Sequence, residues 1–354
     1  MILPLAIVER SPMEEYIRQH DTLVESLKHN VSDALALYHE LDLLNKLLVT
    51  FSTGDYNSKE SKSLNKKLSR LIIEKEERLS RLIKFSDYPA MAMAAYPESK
   101  FMNSRDYKRA KNTITDPILI RGISTGAFAK HAQANGRDFY FMETGYLGNY
   151  RSPNNTTGRK VYHRIEKNDM QQTRIMDVPD DRWNALCKFN PTLAYQGWRE
   201  KSGSKILLIM STDKPFEYYG HSREEWVEQT IKTLKAHTDR EIVIRDKAGR
   251  SERTDNTIYD ALNNDIWALV TYNSIAAVEA IQSGIPAFSM APTAASVVSS
   301  TDLTQIETPP KPDEELIQQW LWSLAYGQFS HSELLTGEAW RLVQENDSRP
   351  TFNY

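Results

Sequence analysis

The sequence predicts an α/β protein of two lobes with a cleft between them, plus an N-terminal helical hairpin. Two observations predict the lobes. Strand-like and helix-like segments alternate strictly between residues 203 and 290, and a shorter alternation runs from residue 117 to residue 145. Apolar strands that alternate with helices are typical of a parallel sheet covered on both faces. A chain of 354 residues is long enough to build two such domains.

The first 85 residues predict one strand and then two helices. The apolar start MILPLAIVER lacks the basic segment and the cleavage site of a signal peptide, so it predicts a first β-strand. Apolar residues then recur every seven positions from Ile17 to Leu48, and a second apolar stripe runs from Leu64 to Leu82. The turn-forming residues 52–59 separate the two stripes. We therefore predict an antiparallel helical hairpin over residues 11–85.

The predicted domains follow from these patterns. Residues 1–10 and 86–200 form an N-terminal α/β lobe, interrupted by the hairpin. This lobe has strands at 117–122 and 138–145, a polar loop at 146–174 with one strand, and a crossing segment at 175–202. Residues 201–300 form the second α/β lobe, with strands that begin near 205, 240, 266 and 285. Residues 301–354 add two C-terminal helices.

Composition narrows the classes of function. The chain has 44 basic and 47 acidic side chains, and the single cysteine excludes a disulfide framework or a thiolate-built zinc site. No histidines show the spacing of metal ligands, so we expect no bound metal. No apolar run is long enough to span a membrane. We expect a cytoplasmic protein with no membrane partner, and the oligomeric state stays open.

One strand end in the second lobe carries candidate binding residues. The segment IWALVTYN ends at Asn273-Ser274 and runs directly into a helix. Free backbone N–H groups and a serine hydroxyl at such a point suit a phosphate. Glu279, on the same helix, could accept hydrogen bonds from ribose hydroxyls. The alternative is that Asn273 and Ser274 only cap the helix.

The longer string VTYNSIAAVEAIQSGIPAFSM resembles the donor-binding motif of GT-B-type glycosyltransferases, particularly the capsule-polysaccharide transferase type. The resemblance covers residues 203–290 and implies two Rossmann-like lobes, with a UDP-sugar or other nucleotide-sugar as donor substrate and no permanently bound cofactor. Many relatives have a His-Pro pair after the preceding strand, where this chain reads RDKAGR. The implied donor-binding residues are Arg245, Lys247, Arg250, Asn273, Ser274 and Glu279.

The first lobe carries a second resemblance. RGISTGAFAKHAQANGRDFYFMETGYLGN and the nearby KVYHRIEKN are similar to phage-encoded proteins of this two-lobed type, some of which glycosylate hydroxymethylated bases in DNA. The residues are also suggestive in themselves, because a turn between strand and helix lets backbone approach a ligand. That turn contains Gly122, Ser124, Thr125 and Gly126.

An inverting glycosyl transfer needs a base that accepts the proton of the acceptor hydroxyl. Glu143 and His163 are the first candidates and Asp177 is the third. Each has a simpler interpretation: Glu143 could cap a turn, and His163 could serve packing or hydrogen bonding.

A basic stretch with interleaved tyrosines predicts contact with DNA. Residues 100–174 hold fourteen basic and six acidic side chains, and such charge binds phosphates while aromatic rings stack on bases. The alternative is a solvated basic surface that meets only the nucleotide. The predicted DNA-binding residues are Lys108, Arg109, Arg151, Arg159, Lys160 and Arg164.

We therefore expect a nucleotide-sugar-dependent glycosyltransferase that modifies hydroxymethylated pyrimidines in DNA, such as 5-hydroxymethylcytosine, in the host cytoplasm if a bacteriophage encodes it. The alternatives are a transferase acting on a polysaccharide or glycan, a non-catalytic nucleotide- or nucleic-acid-binding protein, and a sugar-nucleotide epimerase. The sequence leaves open which sugar and which nucleotide are used.

Overall fold

A computed structural model of the chain describes residues 6–9, 67, 71, 100–148, 162–189, 191–195, 197–200, 203–246, 257–330, 333–334 and 337–352. Within them the protein is a mixed α/β structure with two sheets, which confirms the predicted class. The predicted hairpin at 11–85 lies outside the described residues, apart from two isolated helical positions. The cleft between the lobes stays a prediction.

The first sheet has six strands in the order β10-β5-β4-β3-β1-β2. Strands β1 to β4 run parallel, whereas β5 is antiparallel to both of its neighbours, β4 and β10. The expected strands at the N-terminus, at 117–122 and at 138–145 are present, and the strand expected in the polar loop lies slightly later than KVYHRI. The strands are β1 (Ala6–Glu9), β2 (Lys100–Asn103), β3 (Ile118–Arg121), β4 (Phe139–Thr144), β5 (His163–Lys167) and β10 (Gln328–Phe329).

The second sheet has four parallel strands in the order β7-β6-β8-β9. All four were predicted, because their apolar runs are bounded by turn residues and separated by helices. The strands are β6 (Lys205–Ile209), β7 (Glu241–Arg245), β8 (Ile266–Thr271) and β9 (Ala287–Ser289).

Nine α-helices cover the two sheets within the described residues. Those at 126–134, 223–237, 258–262 and 276–282 match predicted helices, as do the two near the C-terminus, whereas those at 104–110, 181–189 and 213–219 were not predicted. They are α1 (Ser104–Ala110), α2 (Gly126–Ala134), α3 (Asp181–Phe189), α4 (Asp213–Tyr219), α5 (Arg223–His237), α6 (Ile258–Leu262), α7 (Ala276–Gln282), α8 (Glu314–Tyr326) and α9 (Glu338–Ser348).

Apolar side chains place the core on both faces of each sheet. In the first sheet, Ile118, Ile120 and Phe139 pack against α1 and α2, and on the opposite face the hydroxyl of Tyr140 accepts a hydrogen bond from Gln344 of α9. In the second sheet, one cluster joins β6 and β8 to α5, and another joins them to α6, α7 and α8. Both sheets are therefore covered in the manner that their apolar strands predict.

The C-terminal segment does more than add helices. After α8 the chain forms β10, which pairs with β5 and so becomes the edge strand of the first sheet. Residues beyond 300 thus take part in the sheet of the first lobe, in addition to forming the two C-terminal helices that we predicted. The predicted domain boundaries themselves stay predictions. Among the described residues, no helix combines the length and hydropathy that crossing a membrane requires.

Candidate functional site

The second sheet has a topological switch point between β6 and β8. From β6 the chain crosses to β7 on one side, and from β8 it crosses to β9 on the other. In open α/β sheets, ligands bind at the carboxyl ends of the two strands where the connections diverge. We therefore expect a ligand to bind at the loops after Ile209 and Thr271, and we call this region the switch-point crevice.

Two polar side chains join the strand ends at this crevice. The hydroxyl of Ser211 donates to Oδ1 of Asn273 over 3.2 Å, and the backbone N–H of Asn273 points back to the same hydroxyl over 3.4 Å. Beneath them, the buried hydroxyl of Thr271 donates to the carbonyl of Ile209 over 3.0 Å. Asn273, which follows β8, thus binds Ser211, which follows β6.

Arg223 extends this connection to a third strand end. Its Nε donates to the carbonyl of Ser211 over 3.1 Å, and its Nη2 reaches both carboxylate oxygens of Asp246 at 3.0 and 2.9 Å. Asp246 directly follows β7. One guanidinium group therefore ties the loops after β6 and β7, and holds the backbone of Ser211 in place.

The other predicted donor-binding residues differ in their burial and hydrogen bonds, and two of them are not described. The hydroxyl of Ser274 accepts the N–H of Ala276 over 3.3 Å, in the turn just before α7, whose N-cap residue is Ile275. Glu279 is half-buried on α7. Arg245 ends β7, and its carbonyl accepts the N–H of Met210 over 3.0 Å. The two remaining donor-binding candidates, Lys247 and Arg250, lie outside the described residues.

A histidine and a tyrosine beside the crevice were not predicted. Tyr272, the first residue after β8, is 1% exposed, and its hydroxyl lies 2.6 Å from Nδ1 of the exposed His221. The ring of Tyr272 stacks on Phe216 at a centroid distance of 4.0 Å. Burial raises the pKa of the Tyr272 phenol, which therefore stays protonated at neutral pH.

The carboxyl edge of the first sheet holds Glu143. Its Oε1 accepts the N–H of Thr144 over 3.0 Å, while Oε2 lies beside Gly122. Gly122 has a φ of 72°, and a Cβ there would lie 3.4 Å from that oxygen. A side chain is thus disfavoured at residue 122 by backbone conformation, and the half-buried carboxylate faces the turn.

The rest of the predicted turn has structural roles. Thr125 is 1% exposed, and its hydroxyl donates to the carbonyl of Gly122 over 2.7 Å. Gly126 packs against Tyr218 of α4, because a Cβ at this glycine would lie 2.5 Å from the tyrosine ring. The missing side chain of Gly126 thus allows contact between the elements of the two sheets, and the approach of this turn to a ligand stays a prediction. Ser124 is half-buried.

The other two candidate bases are placed less favourably than Glu143. His163 lies opposite Thr144 in the sheet and is completely buried, so an acceptor hydroxyl does not reach its ring without movement. Asp177 is exposed, and its backbone N–H bonds to the carbonyl of Pro350 over 2.9 Å. Glu143 is the one of the three that is both partly accessible and beside the strand-to-helix turn.

The predicted DNA-binding residues are only partly described. Lys108 and Arg109 are exposed on α1. Arg164 differs from the exposed position that we expected: it is 7% exposed, Nη1 donates to the carbonyl of Thr144 over 3.1 Å, and the guanidinium lies 4.9 Å from the ring centre of Tyr146. Burial of this kind leaves Arg164 no surface for a DNA phosphate. Arg151, Arg159 and Lys160 lie outside the described residues.

Sequence reasoning missed Ser211, His221 and Arg223. Ser211 lies in the segment KILLIMST, at the end of the first strand of the second sheet, and the switch-point rule could have found it. His221 and Arg223 follow α4, a helix that was not predicted. In the described part of the chain, no three or more His, Cys, Asp or Glu side chains are grouped so that they could hold a metal ion.

The chain has a distant structural neighbour and no match among family models or curated proteins. Among solved structures, the chain is similar to the β-Kdo 2,7 transferase KpsC of Thermosulfurimonas dismutans, with 10% identity and a TM-score of 0.43 over 74% of this chain and 97% of that chain. At that TM-score the two are not shown to share a fold, so the similarity decides nothing about the site.

Proposed function

We propose that the protein is a nucleotide-sugar-dependent glycosyltransferase. The observation that carries the proposal is the Ser211–Asn273 pair at the switch point of the second sheet. This is where a doubly wound sheet binds nucleotides, and Asn273 belongs to the segment that resembles a glycosyltransferase donor motif. The half-buried Glu143 at the edge of the first sheet supplies a candidate base.

The donor would bind with its diphosphate at the switch-point crevice. The Ser211 hydroxyl and the Asn273 amide group are the polar side chains that join the two strand ends there. Glu279, three residues into α7, is the candidate for the ribose hydroxyls, and Arg245 is the candidate for the phosphates or the sugar. These assignments extend the sequence resemblance to the described residues.

In an inverting transfer, Glu143 would act as the base. Its carboxylate accepts the proton of the acceptor hydroxyl, the acceptor oxygen forms a bond to the anomeric carbon, and the bond from that carbon to the donor phosphate breaks. The nucleoside diphosphate leaves with the electron pair. Thr144 holds Oε1 of Glu143 through its N–H, and Oε2 faces the turn at Gly122.

We further propose that the acceptor is the hydroxymethyl group of a pyrimidine base in DNA. The fourteen-to-six excess of basic side chains at residues 100–174 supports this proposal, and Lys108 and Arg109 are exposed in that range. Binding through phosphates would weaken steeply with salt. A glycan acceptor is the alternative.

The proposal that the protein binds a nucleotide-sugar donor is tested by measuring ligand binding. Purified protein is screened against nucleoside diphosphates and their sugars by thermal shift, where a ligand at 100 times its Kd stabilises by about 2.7 kcal/mol. Asn273→Ala and Ser211→Ala should each weaken binding about tenfold or more, because a hydrogen bond to a charged group is lost. Asn184→Ala, an exposed change on α3, is the matched control.

The proposal that DNA is the acceptor is tested by analysing the reaction products. The protein is incubated with the donor that binds in the thermal-shift screen and with hydroxymethylated DNA, unmodified DNA or soluble glycans. The products are then digested and identified by mass spectrometry. Glycosylated nucleosides from hydroxymethylated DNA alone support the DNA proposal, and a modified glycan replaces it with the alternative. Donor binding without release of nucleoside diphosphate in any arm leaves a non-catalytic nucleotide-binding protein. Glu143→Gln should then lose transfer but keep donor binding.

A further inference from the structure

His221 lies at the same edge of the second sheet as the switch-point crevice. Helix α4 begins soon after β6 and ends at Tyr219, and the following residue, Gly220, has a φ of 77° and turns the chain back. The N–H of His221 bonds to the carbonyl of Phe216 over 2.9 Å, and two residues later Arg223 reaches the carbonyl of Ser211. The loop that carries His221 thus returns to the carboxyl end of β6.

Among the described residues, Nδ1 is the ring nitrogen of His221 that has a hydrogen-bonding partner. Nδ1 lies 2.6 Å from the hydroxyl of Tyr272, and the two rings meet edge to face at 5.9 Å between centroids. His221 is exposed, whereas Tyr272 is buried. An exposed ring with one nitrogen fixed by a buried phenol has a defined orientation and a second nitrogen for a ligand.

The tyrosine is itself firmly placed. Its ring packs against Phe216 of α4 and Trp226 of α5, at centroid distances of 4.0 and 5.5 Å. It also directly precedes Asn273 in the chain, so the phenol and the crevice residue are anchored to the same strand end. The position of the His221 ring is therefore set by β8 as well as by its own loop.

We propose that His221 binds a phosphate group of the nucleotide through Nε2, and that the Tyr272 hydroxyl positions its ring through Nδ1; this inference rests on the proposed function. When the phenol donates to Nδ1, the single proton of a neutral imidazole lies on Nε2. Nε2–H is then a donor for a phosphate oxygen even without a positive charge on the ring. Because burial raises the pKa of the Tyr272 phenol, the phenol keeps the proton that this arrangement needs.

The test compares ligands with and without phosphate. The full chain is titrated calorimetrically with nucleoside diphosphates and with the corresponding nucleosides. His221→Ala should weaken diphosphate binding about tenfold or more and leave nucleoside binding unchanged, because the lost hydrogen bond goes to a charged group. His237→Ala is the matched control, since His237 is exposed at the far end of α5.

Tyr272→Phe tests the positioning role. It removes one hydroxyl and keeps the stacked ring, so we expect weaker diphosphate binding in the wild-type background and no further loss in the His221→Ala background. If His221→Ala and Tyr272→Phe bind diphosphates as tightly as the wild type does, this inference is overturned while the proposed function stands. If the wild type binds no nucleoside diphosphate, both are overturned. Circular dichroism of each variant checks that the fold is kept.

Discussion

The raised pKa of Glu166, in the first lobe, predicts how the stability of the protein depends on pH. Its Oε1 accepts a hydrogen bond from the hydroxyl of Tyr146 over 2.7 Å, and the same hydroxyl accepts the N–H of Gln172 over 2.8 Å. The Glu166 side chain is half-buried, and burial raises the pKa of its carboxyl from 4.5 to about 7, although the hydrogen bond from Tyr146 and the charge of Arg164 oppose the change.

The sign of the pH effect follows from that pKa. Below about pH 4.5 the carboxyl is protonated in the folded and the unfolded chain, and it has no effect on their balance. Between about pH 4.5 and pH 7 the unfolded chain ionises while Glu166 stays protonated in the folded chain, so rising pH favours unfolding. A pKa difference of about 2.5 corresponds to about 3 kcal/mol of stability, lost by pH 8.

The assay is urea unfolding of the wild type and of Glu166→Gln at pH values of about 4, 6 and 8. The variant keeps an oxygen that accepts from Tyr146 but does not ionise. We expect its stability relative to the wild type to rise by about 3 kcal/mol from the lowest to the highest pH. Glu224→Gln, an exposed change on α5, controls for the loss of a negative charge. A constant difference between Glu166→Gln and the wild type at all three pH values would refute the reasoning.

Three further predictions concern packing, capping and the crevice. Gly327→Ala would place a Cβ 1.9 Å from Oε1 of the buried Gln172, and it should cost about 1–3 kcal/mol in urea unfolding, with less cost in a Gln172→Ala background. Ser222→Ala removes the oxygen that accepts the N–H of Glu225 at the start of α5, and it should lower the stability by about 1 kcal/mol, with no change in nucleotide affinity measured by calorimetry. The double variant of Ser211 and Asn273 to Ala should weaken nucleotide binding by less than the sum of the single variants, because the two side chains bond to each other.

Periodicity and apolar runs predicted the elements that bury a regular face. Strands β3, β4 and β6 to β9, and helices α2 and α5 to α7, lie close to their predicted positions. The elements that were missed have weak local patterns. Strand β10 is only Gln328 and Phe329, and it pairs with His163 and Arg164, more than 160 positions away in the chain. Such a strand is stabilised by tertiary contact, which no local pattern reports.

Helix α4 was missed for a different reason. It has seven residues, including Pro215 near its start, so it is too short to show a full amphipathic period. Its aromatic side chains pack with Tyr272, after β8, and with Trp226. Because α4 sets the position of the following turn, missing it left unpredicted that His221 and Arg223, the first residue of α5, lie near the end of β6.

A site residue could be predicted when its own strand end marks it. A contact between residues at two different strand ends could not be predicted. Asn273 stood out because it follows an apolar strand and precedes a helix. Its bond to Ser211, 62 positions away, depends on β6 lying beside β8, and that order cannot be read from a single strand. Arg164 shows the converse error: in the sequence it is one of many basic residues, but its position opposite Glu143 in the sheet places it inside the protein.

The turn at residues 122–126 lies between the candidate base Glu143 and the helix that follows the switch-point crevice. At one end, Gly122 lies beside the carboxylate of Glu143; at the other, Gly126 packs against Tyr218, whose carbonyl accepts a hydrogen bond from Lys130 over 2.6 Å. Tyr218 belongs to α4, which begins two residues after Ser211. A single seven-residue helix therefore runs from the switch-point crevice to the turn beside the candidate base. The packing of Tyr218 against Gly126 therefore joins the element that follows Ser211 to the turn that lies beside Glu143.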